Sequence, residues 1–141
     1  MNRNAIIAYI DLDNFKLIND RFGHEAGDRF LVEVGKRLND GRDEDDIVGR
    51  LGGDEFLVAC LSNDSESGEQ TSLTVLKRQL SAQIAGEYWL GDLHLVYPGA
   101  SLGVIEVDPA RLDADSALRA ADAAMYSDKK GKRKTPFLNI D

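Results

Sequence analysis

The sequence predicts one α/β domain, in which helices surround a mixed central sheet. Short apolar runs alternate with amphipathic stretches of helical period, in the order strand, two helices, hairpin, helix, strands, helix. The 141 residues suit a single hydrophobic core, and 43% hydrophobic and 30% charged residues are usual for a globular domain. Because two helices follow the first strand, we expect a crossover that pairs this strand in parallel with a later one.

Charge and cysteine content exclude several classes of protein. The net charge of -8, from 17 basic and 25 acidic residues, argues against nonspecific nucleic-acid binding, although metal ions would let such a surface hold phosphates. The one cysteine, Cys60, excludes an internal disulfide and a cysteine zinc site, and we interpret it as a buried, inert thiol. No apolar run approaches a membrane span or signal peptide. We expect a cytoplasmic domain, whose parent protein could be membrane-anchored.

The first 41 residues predict a strand and two helices. An Ile-rich apolar run over residues 5–12 favours a buried strand. Helical spacing of apolar residues predicts a helix over 14–22, which Gly23 ends. Residues 24–28 form a polar bend, and a second helix then runs through Leu38 to Gly41.

Residues 47–61 predict a hairpin. Two adjacent glycines, Gly52 and Gly53, separate two strand-like apolar runs, and a two-residue turn of this type needs positive φ. Two carboxylates, Asp54 and Glu55, leave the turn. This combination suggests a site as well as a connection.

The second half predicts more strands and helices. Apolar residues at spacings of three and four predict a helix over 73–84, and Gly91-Asp92 predicts a hairpin turn. In the last helix, we expect Leu118, Ala121 and Met125 to face the core. In order, the predicted elements are a loop over 62–70, the helix over 73–84, a hairpin over 88–97, a central strand over 100–107, a helix over 115–129 and a closing strand over 137–140.

The acidic residues suggest a metal site. Asp11 ends the buried first strand, and it would face Asp54 if that strand and the hairpin are neighbours. Without His or Cys, such carboxylates select Mg²⁺ or Mn²⁺, and Mg²⁺ usually takes substrate phosphates as ligands, so we expect a nucleotide substrate. Asp54 and Glu55 are consecutive, so they share one site only if the turn twists the backbone. Asp13 has a simpler interpretation, as a helix cap.

Two cations between carboxylates and a triphosphate indicate in-line phosphoryl or nucleotidyl transfer. Other charged residues have both plain and functional interpretations. Asp28 could complement a helix dipole, and His24 is best explained as a surface residue. A basic cluster at the end of the last helix suits a helix C-terminus or a bound phosphate; its members are Lys129, Lys130, Lys132, Arg133 and Lys134.

Five ordered segments resemble one family. Gly52-Gly53-Asp54-Glu55-Phe56 resembles the signature of GGDEF domains, the diguanylate cyclases. Residues 11–20 resemble the DxDxFKxxND segment of that family, and residues 22–28 resemble FGHxxGD. Residues 100–104 resemble its S(I/L)GV strand, and residues 121–133 resemble ADxAxYxxK…R. One glycine-acid motif is weak, but five in order are highly specific.

The resemblance implies a palm-like fold related to nucleotidyl cyclases, with a ferredoxin-like core. It also implies a bacterial, Mg²⁺-dependent transferase of second-messenger signalling, which condenses two GTP into cyclic di-GMP and releases two pyrophosphates. Two facing domains would each hold one GTP. A sensor domain N-terminal to this one is the expected partner in the parent protein.

Matching positions imply roles for individual residues. Asp54 would promote deprotonation of the ribose 3′-hydroxyl, and Glu55, the other catalytic residue, would support the metal site. The implied metal ligands are Asp11, the Leu12 carbonyl, Asp54 and Glu55. The implied substrate-binding residues are Asn19 and Asp28 for guanine, Phe15, Lys16, Lys129 and Arg133 for the phosphates, and Gly52 and Gly53 for close approach of the nucleotide.

Two departures from the family pattern matter. The product-inhibition motif RxxD would place Arg at position 43, where this chain has Asp43, with Asp46 in register; the Arg42–Asp45 string is one residue out of register. We therefore expect no such inhibitory site. Residues 1–141 also lack the helix and DxLTGLxNR segment that usually begin the domain, so activity of this chain alone could be weak.

Two other functions remain possible from the sequence. One is a catalytically silent GTP-binding module that regulates a partner; the intact acids argue for the enzyme instead. The other is a cyclase for a different nucleotide, against which Asn19 and Asp28 argue.

Overall fold

The computed structural model describes residues 4–62 and 73–132, and the backbone of residues 139–140. It contains four helices and seven strands in these ranges. They are β1 (Ala5–Asp11), α1 (Phe15–Phe22), α2 (His24–Asn39), β2 (Ile47–Gly52), β3 (Glu55–Leu61), α3 (Leu73–Ile84), β4 (Gly86–Leu90), β5 (Leu93–Tyr97), β6 (Ser101–Val107), α4 (Ala114–Gly131) and β7 (Asn139–Ile140).

The main sheet has four strands in the order β2-β3-β1-β6. In the middle, β1 pairs along its full length with both neighbours, from Ala5 opposite Leu61 and Val107 to Asp11 opposite Glu55 and Ser101. This order, with helices between the first strand and the hairpin and again before the last strand, is the ferredoxin-like arrangement. The predicted α/β class and the expected ferredoxin-like core of the fold are confirmed.

The predicted parallel pairing is wrong, because all described pairs in this sheet are antiparallel. The crossover through α1 and α2 does bring β2 into the same direction as β1. However, the tight hairpin folds β3 back between them, so the parallel strands are not neighbours. The sheet is therefore antiparallel rather than mixed.

The strand over 101–107 lies at the sheet edge, so its predicted central position is wrong. Its apolar composition reflects cover by α4, whose backbone at Ala121 and Met125 leaves no room for a Cβ at Gly103. The Leu102 amide donates to Asp128 Oδ2 of α4 (2.9 Å), so a side chain takes the place of a missing strand partner.

The main hydrophobic core lies on the face of the sheet opposite α4. Buried side chains of β1, β3 and β6 form one cluster with the apolar faces of α1, α2 and α3. Phe30 of α2 packs edge-on against Tyr88 and Tyr97, with ring centroids 4.8 and 4.7 Å apart. These tyrosines belong to the predicted second hairpin, which is confirmed as β4–β5 and joins β7 in a separate sheet.

Several local predictions need correction. Residues 24–28 are not a bend: α2 begins at His24, directly after Gly23 at φ 92, because the polar residues occupy the exposed face of its first turns. In α4, Ala117 is buried and Leu118 only half-buried. Cys60 is also only half-buried, although burial raises its pKa. The predicted loop over 63–70 and residues 137–138 of the predicted closing strand lie outside the described residues.

Candidate active site

The turn between β2 and β3 is Gly53-Asp54, one residue later than the predicted glycine pair. The pairing register shifts between Arg50 and Gly52, so an extra residue twists the hairpin at this point. Gly53 adopts φ 47, in the left-handed region that favours glycine. The Arg50 Nε donates to the Gly53 carbonyl at 3.0 Å and holds the turn.

This twist brings the carboxylates of Asp54 and Glu55 close to Asp11. Glu55 pairs directly with Asp11 and therefore shares its face of the sheet. Burial, followed by the neighbouring Asp11 carboxylate, raises the pKa of the Asp54 carboxyl. The expected meeting of Asp11 and Asp54 is thus confirmed, and the required twist places Glu55 with them. The Leu12 amide donates to the Asp54 carbonyl at 3.0 Å and ties the two segments together.

Asp11 is buried at the centre of this group and incompletely paired. Its Oδ2 accepts from Lys129 Nζ of α4 at 2.9 Å, a bond that raises the pKa of Lys129. Its Oδ1 is buried and has no hydrogen-bond partner within the described part of the chain. An unsatisfied carboxylate oxygen beside a second carboxylate is the arrangement that a bound cation would complete.

The residues present fit a divalent metal with few protein ligands. Within residues 4–62 and 73–132, no three His, Cys, Asp or Glu side chains are grouped to enclose one. Asp11 and Asp54 offer carboxylates, and the Leu12 carbonyl accepts only a long bond of 3.3 Å from the Phe15 amide. Mg²⁺ usually keeps several waters and binds one or two carboxylates plus substrate phosphates, so this set suffices. Glu55 differs, because it also interacts with the Tyr9 hydroxyl; burial and this interaction raise the pKa of Tyr9 to about 12.

The residues predicted to bind guanine lie on α1 and α2. Asn19 Oδ1 is buried without a hydrogen-bond partner among the described residues, although Asn19 itself is only half-buried. The side chain lies against Gly27, where an added Cβ would collide with it. Asp28 follows on α2 and is exposed. An unsatisfied amide acceptor and an accessible carboxylate suit recognition of a ligand with adjacent donors.

The residues predicted to bind phosphate are more dispersed. Phe15 begins α1, and its ring stacks on Phe30 with centroids 6.4 Å apart. Lys16 is exposed in the first turn of α1, and Lys129 is held at the site by Asp11. Gly52 and Gly53 are exposed. Arg133 lies outside the described residues.

The Asp13 carboxylate does not cap α1, so its predicted role as a helix cap is wrong. The Asp13 carboxylate accepts from Ser101 Oγ at 2.8 and 3.0 Å and from Lys132 Nζ at 3.0 Å. α1 starts instead from Asn14, whose side chain makes no capping bond. The partners lie 88 and 119 residues away, so no local sequence pattern could have identified them.

A sequence model of the family described as "Diguanylate cyclase, GGDEF domain" matches residues 1–135. The chain belongs to the GGDEF domain family. The resemblance seen in the five motifs is thereby confirmed.

Two curated relatives illustrate the match. The chain is 58% identical over 138 residues to diguanylate cyclase DgcP of Escherichia coli K12, covering 98% of this chain and 39% of that protein. It is 34% identical over 132 residues to cyclic di-GMP phosphodiesterase PdeR of the same strain, covering 94% of this chain and 19% of that protein. The chain thus spans well under half the length of these relatives.

Solved structures support the fold. A sensory box/GGDEF family protein from Caulobacter crescentus CB15 matches with a TM-score of 0.78 and 32% identity, over 92% of this chain and 81% of that one. The GGDEF domain of PA1120 from Pseudomonas aeruginosa matches with a TM-score of 0.76 and 33% identity, over 96% and 81%. Within residues 4–62 and 73–132, no helix is both long enough and apolar enough to cross a bilayer.

Proposed function

We propose that this chain is a diguanylate cyclase domain, which condenses two GTP into cyclic di-GMP and two pyrophosphates. The observation that carries the proposal is the meeting of Asp11 and Asp54, with one buried Asp11 oxygen left unsatisfied. Family membership supplies the reaction class, and DgcP, at 58% identity, is named for this activity.

Mg²⁺, or Mn²⁺ in its place, is the cofactor we propose. Asp11, Asp54 and the Leu12 carbonyl would hold it, and Glu55 would support the site from the Asp11 face of the sheet. Such a cation neutralises phosphate charge and makes the attacking hydroxyl more acidic. The chain's own contribution is a rigid strand end and turn that place these oxygens before the substrate arrives.

The base we propose is Asp54. Its raised pKa moves it towards the range in which a carboxylate accepts a proton efficiently. The proton leaves the ribose 3′-hydroxyl, and the 3′-oxygen forms a bond to the α-phosphorus of the other GTP. The bond from that phosphorus to the bridging oxygen breaks, and pyrophosphate departs with the electron pair. A second transfer of the same kind closes the ring.

Guanine selection is assigned to Asn19 and Asp28. The Asp28 carboxylate can accept from the N1–H and amino group of guanine, which adenine does not present in that arrangement. Phe15 and Lys16 at the start of α1, with Lys129 and Arg133, would hold the phosphates. Gly52 and Gly53 leave the backbone open to the nucleotide, since neither carries a Cβ.

A homodimer is part of the proposal, because each domain contributes one site and the product contains two guanylates. Two copies related by a two-fold axis would place each 3′-hydroxyl against the other α-phosphate. The parent protein would add a sensor domain, consistent with the greater length of the curated relatives. We place the domain in the cytoplasm, where GTP is available.

The test is incubation of the chain with GTP and Mg²⁺, with the product identified by mass. We expect cyclic di-GMP, with a specific rate that rises with protein concentration because two half-sites must meet. ATP serves as the substrate control. Release of a different product, or GTP binding without any turnover across a wide protein concentration range, would contradict the proposal.

A further inference from the structure

The turn between β1 and α1, residues 12–14, is held from both sides. On one side, the Leu12 amide donates to the Asp54 carbonyl of the acidic hairpin turn at 3.0 Å. On the other, Ser101 Oγ donates to both oxygens of the Asp13 carboxylate at 2.8 and 3.0 Å, and Lys132 Nζ approaches Oδ2 at 3.0 Å. The turn is therefore clamped between the hairpin, the start of β6 and the end of α4.

Asp13 is fully engaged by this clamp. Its side chain is only 18% exposed, and its main-chain carbonyl accepts from the buried Tyr97 hydroxyl at 2.6 Å. Ser101 is completely buried and lies directly opposite Asp11 in the β1–β6 register. With both carboxylate oxygens bonded, Asp13 is built into the support of the site, whereas Asp11 beside it keeps an unsatisfied oxygen.

The clamp maintains a strained backbone. Asn14 adopts φ 62, the only described non-glycine residue with positive φ. The left-handed conformation is unfavourable for most L-residues, although Asn tolerates it better than others. Such a conformation persists where surrounding contacts over-determine it. The Asn14 carbonyl accepts from the Leu17 amide at 3.0 Å within α1, and the Asp13 carboxylate adds the side-chain bonds that tie this turn to β6 and α4.

We infer that Asp13 is a positioning residue, which acts through Ser101 and Lys132 to fix the turn that presents the Leu12 carbonyl, Phe15 and Lys16. This inference rests on the proposed function, because those groups are the ones assigned to metal and phosphate. Asp13 itself touches neither. A shift of about 1 Å in reacting groups can reduce a rate about 100-fold, so holding this turn matters.

The experiment measures binding and turnover separately in the full chain. Binding uses Mg²⁺ with 3′-deoxy-GTP, which lacks the attacking hydroxyl, in calorimetric titrations. We expect Asp13→Ala to raise the dissociation constant about 10-fold and to lower turnover of GTP further. Ser101→Ala should act in the same direction. The double variant should match Asp13→Ala, because Asp13→Ala already removes the Ser101–Asp13 contact that Ser101→Ala removes. Asp13→Asn, which keeps an oxygen for Ser101, should lose less.

The matched control is Asp113→Ala. Asp113 caps α4 by accepting from the Ser116 amide at 2.8 Å, so its loss lowers the stability of the chain without touching the turn. We expect its analogue affinity to equal that of the wild type, which separates positioning from general destabilisation.

Three results would overturn the inference: wild-type analogue affinity in Asp13→Ala, additive losses in Asp13→Ala and Ser101→Ala, or loss of metal binding in Asp13→Asn as severe as in Asp11→Asn. The last would make Asp13 a ligand. If the wild type binds the analogue but forms no cyclic di-GMP from GTP, the proposed function fails and the binding series still decides the role of Asp13. If the wild type does not bind the analogue, both fail.

Discussion

The two hairpins share a two-residue Gly-Asp turn but differ in their surroundings. Gly53-Asp54 joins β2 to β3, and Gly91-Asp92 joins β4 to β5, with both glycines at positive φ (47 and 66). Asp92 is exposed, and its hairpin keeps a regular register. Asp54 is half-buried, and its hairpin carries a register shift.

The neighbouring strand explains this difference. β3 lies beside β1, whose end supplies Asp11 and the Leu12 amide to the first turn. The turn of the second hairpin faces Arg29 of α2, whose guanidinium lies where a Cβ on Gly91 would be. A Gly-Asp turn therefore gives a carboxylate in both places, and only a second carboxylate nearby makes one of them a candidate metal site.

The largest expected effect comes from removing each turn carboxylate. Asp54→Asn should lower cyclic di-GMP formation about 10³-fold, because it removes both the proposed base and a metal oxygen. Asp92→Asn, the same change in the other turn, should leave the rate within about 2-fold of the wild type, as is usual for an exposed site. Initial rates at saturating GTP and Mg²⁺ test this, and equal losses in both variants would remove the distinction between the turns.

Replacing each turn glycine separates strain from function. Both Gly53→Ala and Gly91→Ala should lose about 1–2 kcal/mol of stability, because alanine disfavours positive φ. At Gly91 the flexible Arg29 end must also move. Only Gly53→Ala should lower turnover, by about 10- to 100-fold, since it displaces Asp54. Urea unfolding and initial rates measure the two quantities, and unchanged turnover in Gly53→Ala would show that the turn geometry tolerates a Cβ.

The raised pKa of Asp54 should be visible in the pH dependence of stability. Because burial and Asp11 raise the folded-state pKa of Asp54 above its ordinary 3.8, the folded state binds this proton more tightly than the unfolded state. The charged form therefore destabilises the fold above the raised pKa. Without metal, Asp54→Asn should melt above the wild type at neutral pH.

This gain should disappear as the pH falls through the raised pKa towards 3.8. Thermal melts in chelator across that range test it, with Asp92→Asn controlling for the loss of one charge from an exposed turn. A stability gap that widens towards acid pH would contradict the assignment.

The smallest expected effect concerns the residues that precede β2. Asp43 stands where the family's inhibitory motif would have Arg, and Asp46 Oδ2 accepts from the Asp43 amide at 3.0 Å. An acid repels product phosphates, so added cyclic di-GMP should not slow the reaction except by competing with GTP. Noncompetitive inhibition, or micromolar binding of cyclic di-GMP that excess GTP does not displace, would contradict this expectation.

Periodicity and turn chemistry identified most elements because they are local properties. The helix over 73–84 agrees with α3, and the Gly91-Asp92 turn agrees with the second hairpin. Strand neighbours are not local: nothing within β6 distinguishes an edge strand covered by α4 from a central one, so its position was mispredicted. The polar start of α2 was mistaken for a bend because an exposed helix face and a loop share a composition.

The acids of the site were identifiable because their residue types and spacing carry the chemistry. The sequence by itself determined Asp11, Asp54 and Glu55 as candidates, and the five ordered motifs determined the family. The tertiary structure alone decided that Glu55 pairs with Asp11 through a twisted hairpin and that the Lys129 ammonium donates to the Asp11 carboxylate. It also decided that Asp13 is held by Ser101, because hydrogen bonds between residues 88 positions apart exist only once the sheet brings them together.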